Sequence, residues 1–159
     1  MEFLNEMERF IPILIFLYLI YKVIKNYSNR YELFGYILTD LSNRVLKNYV
    51  FKPMMGDNTY PIIGRGARPP GAMNCGFIST GKRSNSYGMP SGHTQLISYF
   101  LSYELLNSDE NILYKILLTM VCIYMVISRI RLGCHTNQQV IMGSLFGFGM
   151  AYSVMRLTK

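Results

Sequence analysis

The chain has 159 residues, enough for one domain and too few for two ordinary ones. Half of it is hydrophobic and only 16% is charged, with 13 Tyr, 9 Phe and 11 Met, which excludes a disordered chain, a collagen-like chain and a disulfide-framed miniature. The formal net charge is +7, so the partners that charge favours carry phosphate: nucleic acid, anionic lipid or a phosphorylated substrate.

In chain order, the first element is the apolar run Phe10 to Ile24, broken only by Lys22, which can snorkel to an interface. Glu2, Glu6 and Glu8 precede it against a single Arg9, so the positive leader of a secretory signal is missing and a retained span is expected. Tyr31 to Phe51 carries Glu32, Asp40, Arg44 and Lys47 and reads as an amphipathic helix with one face on protein or water. Residues 52–90 then hold five of the six prolines, many glycines, and Arg65, Arg68, Lys82 and Arg83, the signature of a long polar loop. Loops of that length inside compact domains are usually functional or disordered.

Ser91, just after Pro90, is a good N-cap for a third helix running from Thr94 to Leu106. Ile112 to Ile127 contains only Lys115 as a charge, and Val140 to Met155 contains none. Runs of this length and apolarity suit the hydrocarbon core of a bilayer. Gly143, Gly147 and Ala151 recur at four-residue spacing in the last run and predict close helix packing. The expected fold is therefore all-α: a membrane-embedded bundle of about five helices, in one domain spanning 1–159, with one long polar loop. If every helix crosses, the chain start, the 52–90 loop and the 129–138 connection share one side. Lys22, Lys25 and Arg30 mark the opposite side as cytosolic.

Only two histidines occur, His93 and His135, and each sits at the polar end of an apolar helix on the loop side. His93 follows Ser91 and Gly92 at a helix start, where free backbone N–H groups and the positive dipole end favour an anion. His135 follows Arg129 and Arg131, and the guanidinium fork suits bidentate phosphate binding. Arg68 lies in the turn-rich Gly64–Gly71 stretch.

Taken together, Arg68-Pro69, Pro90-Ser91-Gly92-His93 and Ser128-Arg129 with five residues before His135 resemble the three-part motif of the type 2 phosphatidic acid phosphatase superfamily. That superfamily also holds bacterial acid phosphatases and vanadium haloperoxidases. The resemblance covers residues 43–157 and is nearest the dolichyl diphosphatase branch. There the second motif reads Tyr-Gly-Met-Pro-Ser-x-His-x-Gln, as at 87–95, and the third histidine is followed by Thr and then Gln-Val, as at 135–140.

The resemblance implies an integral, multi-pass membrane lipid phosphatase. Its substrate would be a polyprenyl, dolichyl-type diphosphate or a related lipid phosphate, with the site on the lumenal or extracytoplasmic face. His135 would be the nucleophile that forms a phosphohistidine, and His93 the acid that protonates the leaving oxygen and later activates water. Arg129, Arg68, Ser91 and the Gly92 N–H would cradle the phosphoryl oxygens. Fixed cations and N–H donors are what a phosphoryl group in transfer needs. With Asp57 the sole acidic residue of the long loop, hydrolysis without metal or other cofactor is expected.

Two positions depart from the pattern. The lysine of the first motif falls at position 61, which is Pro61 here; Lys52, Lys47 or Arg65 could replace it, and Lys52 is preferred. The carboxylate four residues after the nucleophilic histidine is Gln139, whose amide oxygen can fix the imidazole tautomer but stabilises an imidazolium less. Cys75, Cys122 and Cys134 show no metal spacing; Cys75 and Cys134 share the loop side and can pair there if it is oxidising. Competing readings are a broad-specificity phosphatidate or undecaprenyl-diphosphate phosphatase and a non-catalytic relative that keeps an anion site. A haloperoxidase is disfavoured because so short a membrane chain lacks that group's soluble bundle. A nucleic-acid binder is disfavoured because the cations form no stripe with interleaved aromatics.

Overall fold

A computed structural model of the chain describes residues 2–72, 76, 84–107 and 110–158, with side chains from Glu8 onward. Five long helices dominate: α1 (Glu2–Lys25), α2 (Arg30–Val45), α4 (Gly92–Asn107), α5 (Ile112–Arg131) and α6 (Asn137–Thr158). α2 continues into a π-helical turn, Leu46–Phe51, and then into the one-turn helix α3 (Lys52–Met55). The strands described, β1 (Thr59–Tyr60) and β2 (Gly64–Arg65), form a minimal antiparallel hairpin, so the class is all-α as expected. Within the stretch expected to be loop, a helical turn and a hairpin are thus folded before Arg68.

α4 is the central element. It packs most extensively on α6 and also meets α5, α2 and α1. Its apolar residues Leu96, Ile97, Tyr99, Phe100 and Tyr103 are all buried, together with Ile15 and Leu19 of α1, Tyr36 of α2, Met125 of α5 and Val154 of α6. The α4–α6 approach depends on the small residues. A Cβ at Gly143 would lie 2.6 Å from the Ser91 carbonyl oxygen, and one at Gly147 would collide with the Gln95 carbonyl oxygen. Ala151 continues the same stripe and is fully buried.

The outer surface is apolar. Phe10, Leu14 and Leu17 of α1, Phe34 and Leu41 of α2, Leu117 and Met120 of α5, and Leu145 and Phe148 of α6 are all exposed. An apolar surface this extensive is foreign to a water-soluble monomer and marks contact with lipid or protein. α5 and α6 are long and apolar enough to cross a bilayer.

Inside the bundle, at the α1–α2 junction, Lys22 donates to Glu32 and to Glu104, each at 2.6 Å. Both carboxylates are buried, so the shared lysine offsets a desolvation cost that neither could bear unpaired. This ionic knot ties α1, α2 and α4 at the end of α4 away from His93.

Candidate active site

Each candidate group stands where local chain chemistry puts it. α5 ends in a Schellman motif: Gly133 adopts a left-handed conformation (φ +64), its N–H bonds the Ile130 carbonyl at 2.9 Å, and the Cys134 N–H bonds the Arg129 carbonyl at 3.0 Å. Glycine bears that backbone without strain. The reversal delivers His135 beside the end of the helix that carries Arg129. α6 then opens with a capping box. The Thr136 N–H reaches Gln139 Oε1 at 3.3 Å, and the Gln139 N–H reaches Thr136 Oγ1 at 3.4 Å.

That box fixes Gln139, and Gln139 fixes His135. The amide oxygen lies 2.9 Å from His135 Nδ1, while the amide nitrogen donates to the carbonyls of Arg65 at 2.9 Å and Ala67 at 2.7 Å. The two loop carbonyls need a donor, so the amide orientation is determined by its partners. The oxygen must therefore accept from His135 Nδ1–H, leaving Nε2 unprotonated, with its lone pair as an acceptor. Arg68 Nη1 stands 3.4 Å from that Nε2 and donates to the Cys134 carbonyl at 2.9 Å. Ser86 braces the same guanidinium through its carbonyl and hydroxyl oxygens, at 3.0 and 2.8 Å.

Burial, the charges of Arg68 and Lys47, and to a lesser degree His93, hold His135 well below the ordinary imidazole range, against the hydrogen bond from Gln139. The ring is thus neutral at physiological pH. Burial lowers Arg68 to about 10, which still leaves it cationic there.

The second cation is more deeply placed. Arg129 is fully buried; its Nε and Nη2 donate to Ser128 Oγ at 3.2 Å each, and Nη2 lies 3.7 Å from Glu8 Oε2. Arg129 Nη1 has no hydrogen-bond partner among the described residues. A buried guanidinium N–H without an acceptor is costly and is what an anion would satisfy. Arg129 and Arg68 both lie within electrostatic reach of His93, which is half-buried in the first turn of α4. His93 Nε2 faces the Arg9 carbonyl at 3.4 Å.

Ser91 is fully buried at the α4 start. Its hydroxyl pairs with Thr94 Oγ1 at 3.0 Å, and its N–H bonds the Gln139 carbonyl at 3.0 Å, joining the two histidine-bearing segments. Gly92 lies against Asn43 of α2, where a Cβ would sit 2.9 Å from Asn43 Oδ1. Asn43 in turn donates to Gln95 Oε1 at 2.8 Å, a buried polar link that sequence inspection passed over.

His135, Arg68 and Gln139 therefore touch directly; Ser91 joins through the Gln139 backbone, and His93 and Arg129 through charge. Lys52 is exposed and lines a polar cleft of about 280 Å³ with Asp57, Arg65, Arg68, Ser86 and Tyr87. The lysine whose charge bears on both histidines is Lys47, on the π turn. A π turn adds a residue to the local repeat and re-aims the side chains around it, so helical periodicity cannot foresee this. Lys82, Arg83 and Cys75 lie outside the described residues; Cys134 is disulfide-bonded and Cys122 is free and buried. Among the described residues no three His, Cys, Asp or Glu side chains gather as metal ligands.

The sequence model of the PAP2 superfamily matches residues 31–159. The chain belongs to the PAP2 superfamily. No curated protein and no solved structure matches it. PAP2 members are phosphatases, which suggests a hydrolase, and two bilayer-length helices within a PAP2 fold suggest a membrane protein. The PAP2 match takes in α2, α4, α5, α6 and the loop, while α1 lies outside it.

Proposed function

We propose that this PAP2 protein is a multi-pass membrane phosphatase that hydrolyses a polyprenyl, dolichyl-type diphosphate or a related lipid phosphate through a phosphohistidine, without a metal. The observation that carries the reading is His135: neutral, tautomer fixed by Gln139, with Nε2 unprotonated and facing Arg68 Nη1 at 3.4 Å. In this reading Nε2 attacks phosphorus while the bond from phosphorus to the leaving oxygen breaks. His93, which gains its proton when the anionic substrate enters beside it, gives that proton to the leaving oxygen. A water then attacks the phosphohistidine, His93 takes the water's proton, and phosphate leaves with His135 neutral again. Covalent capture splits one hard step into two, and a positioned acid typically contributes about 10²–10⁴-fold. Arg68, Lys47 and the unpartnered Nη1 of Arg129 supply the fixed positive charge that the equatorial oxygens need.

The substrate class rests on the Tyr87–Gln95 segment and on the apolar exterior. A groove of about 300 Å³ between α1 and α2, lined by Pro12, Phe16, Tyr36, Ile37 and Leu96 with Asp40 and Arg44 also on its wall, offers a lipid tail a path one turn along α4 from His93. The site is assigned to the lumenal or extracytoplasmic face, opposite Lys22, Lys25 and Arg30.

Purified protein in detergent with EDTA should release phosphate from dolichyl diphosphate or a short prenyl diphosphate, and His135→Ala should not. Turnover surviving that substitution refutes the chemistry; a preference for phosphatidate in a competition panel moves the substrate class. Gln139 in place of a carboxylate favours one other reading, a non-catalytic relative, which would bind vanadate yet release no phosphate.

A further inference from the structure

The cradle described above has a support that lies outside the PAP2-matched residues. Glu8 of α1 is 3% exposed, and its carboxylate is surrounded by donors from α5. Oε1 accepts from Tyr124 Oη at 2.7 Å and from Arg131 Nη2 at 2.5 Å, while Oε2 faces Arg129 Nη2 at 3.7 Å. One residue on, the Arg9 carbonyl faces His93 Nε2. Pro12, inside the same helix, has no N–H to give the Glu8 carbonyl, so the α1 ladder is interrupted at this contact.

We infer that Glu8 is a positioning residue for phosphoryl transfer: its charge, 3.7 Å from Arg129 Nη2, keeps that edge of the guanidinium turned toward α1 so that Nη1 is presented to the phosphoryl oxygens. The inference rests on the reading of Arg129 as a phosphoryl-binding group. Arg129 has one hydrogen-bonded anchor, Ser128 Oγ, and one buried charge partner, Glu8, at 3.7 Å. Ser128 is a neutral acceptor that also donates to the Met125 carbonyl at 2.7 Å, so Glu8 is the charged one. Without it the buried guanidinium keeps its charge, loses its counter-ion and can turn toward other acceptors. α1 thereby completes a site whose other members all lie between residues 47 and 139.

The test combines Glu8→Gln, which keeps the volume and an acceptor oxygen for Tyr124 and Arg131, with Glu8→Ala, Arg129→Ala and the Glu8→Gln/Arg129→Ala double variant. Phosphate release from a short prenyl diphosphate, inhibition by inorganic vanadate and thermal unfolding are measured for each. In E8Q, kcat/KM should fall about 10–100-fold, as for a misplaced binding group, with weaker vanadate inhibition. In the Arg129→Ala background the same change should leave vanadate inhibition where it was, because its route of action is gone. E8Q and E8A at wild-type turnover, or an equal fractional loss of vanadate inhibition with and without Arg129, would overturn the inference while leaving the site intact. Should Arg129→Ala itself leave turnover and vanadate inhibition unchanged, the reading of the site falls first. If E8A does not fold, E8Q alone decides.

Discussion

Gln139→Glu is the sharpest perturbation, because it restores the charge that the PAP2 pattern has at this position and asks whether this chain can use it. The oxygen of Gln139 serves His135 Nδ1 and the Thr136 N–H, and a carboxylate would serve both, more strongly because it is charged. The amide nitrogen serves the Arg65 and Ala67 carbonyls at 2.9 and 2.7 Å, and a carboxylate can serve neither. Leaving two such acceptors unsatisfied costs roughly 2–6 kcal/mol, at about 1–3 each. The strengthened bonds return about 1–2 kcal/mol. The net loss is about 0–5 kcal/mol, centred on about 2.5, at about 2–4 °C of Tm per kcal/mol for a chain of this size.

The added charge also raises the His135 pKa, so more of the nucleophile is protonated at any given pH below neutrality. Q139E should therefore unfold earlier in detergent and release phosphate more slowly at pH 6 than wild type. Thermal unfolding and phosphate release from a prenyl diphosphate measure both. A variant as stable as wild type and faster at pH 6 would refute the argument, because the loop carbonyls would then have had no need of the amide.

Three further outcomes follow from the same contacts. The acid limb of kcat/KM should lie well below pH 6.5, where His135 finally protonates, and Lys47→Met should move it upward by removing one of the charges that hold the pKa down; a limb that does not move places Lys47 away from the nucleophile. Gly147→Leu should separate α4 from α6 and cost at least the 1–3 kcal/mol typical of overpacking, read as a lower Tm, whereas Gly149→Leu, with open space at its Cβ, should leave Tm unchanged. Lys22→Met leaves Glu32 and Glu104 buried together and should cost about 3–5 kcal/mol; if Tm holds, the knot does not tie the bundle.

Much of the site could be read from sequence because its parts are local. Ser91 after Pro90 marks a helix start wherever it falls, and the Gly133 reversal and the Thr136–Gln139 capping box, which the fold brings to notice, are equally local. α1, α5 and α6 follow from the length of their apolar runs, while α2 needs its amphipathic pattern and α4 its start signal. What could not be read depends on partners far apart in the chain. Lys47 is set by the π turn, Asn43 finds Gln95 across the bundle, and Glu8 meets α5 more than a hundred residues later. In sequence, Glu8 is one acidic residue among several before an apolar run, and it weighs only on the question of a leader. In the fold it is the buried counter-charge of Arg129.

The same separation explains the amide at 139. A carboxylate there suits a site that must hold an imidazolium, and by composition alone Gln139 reads as a loss. The Arg65–Ala67 backbone, brought in by the hairpin, presents two carbonyl oxygens to that position, and a charged oxygen facing them would be repelled. Here the amide joins His135 to the loop that carries Arg68, so one side chain sets both the tautomer of His135 and the place of the nearest cation. A loop that moved away from Gln139 would take Arg68 with it and free the imidazole at the same time.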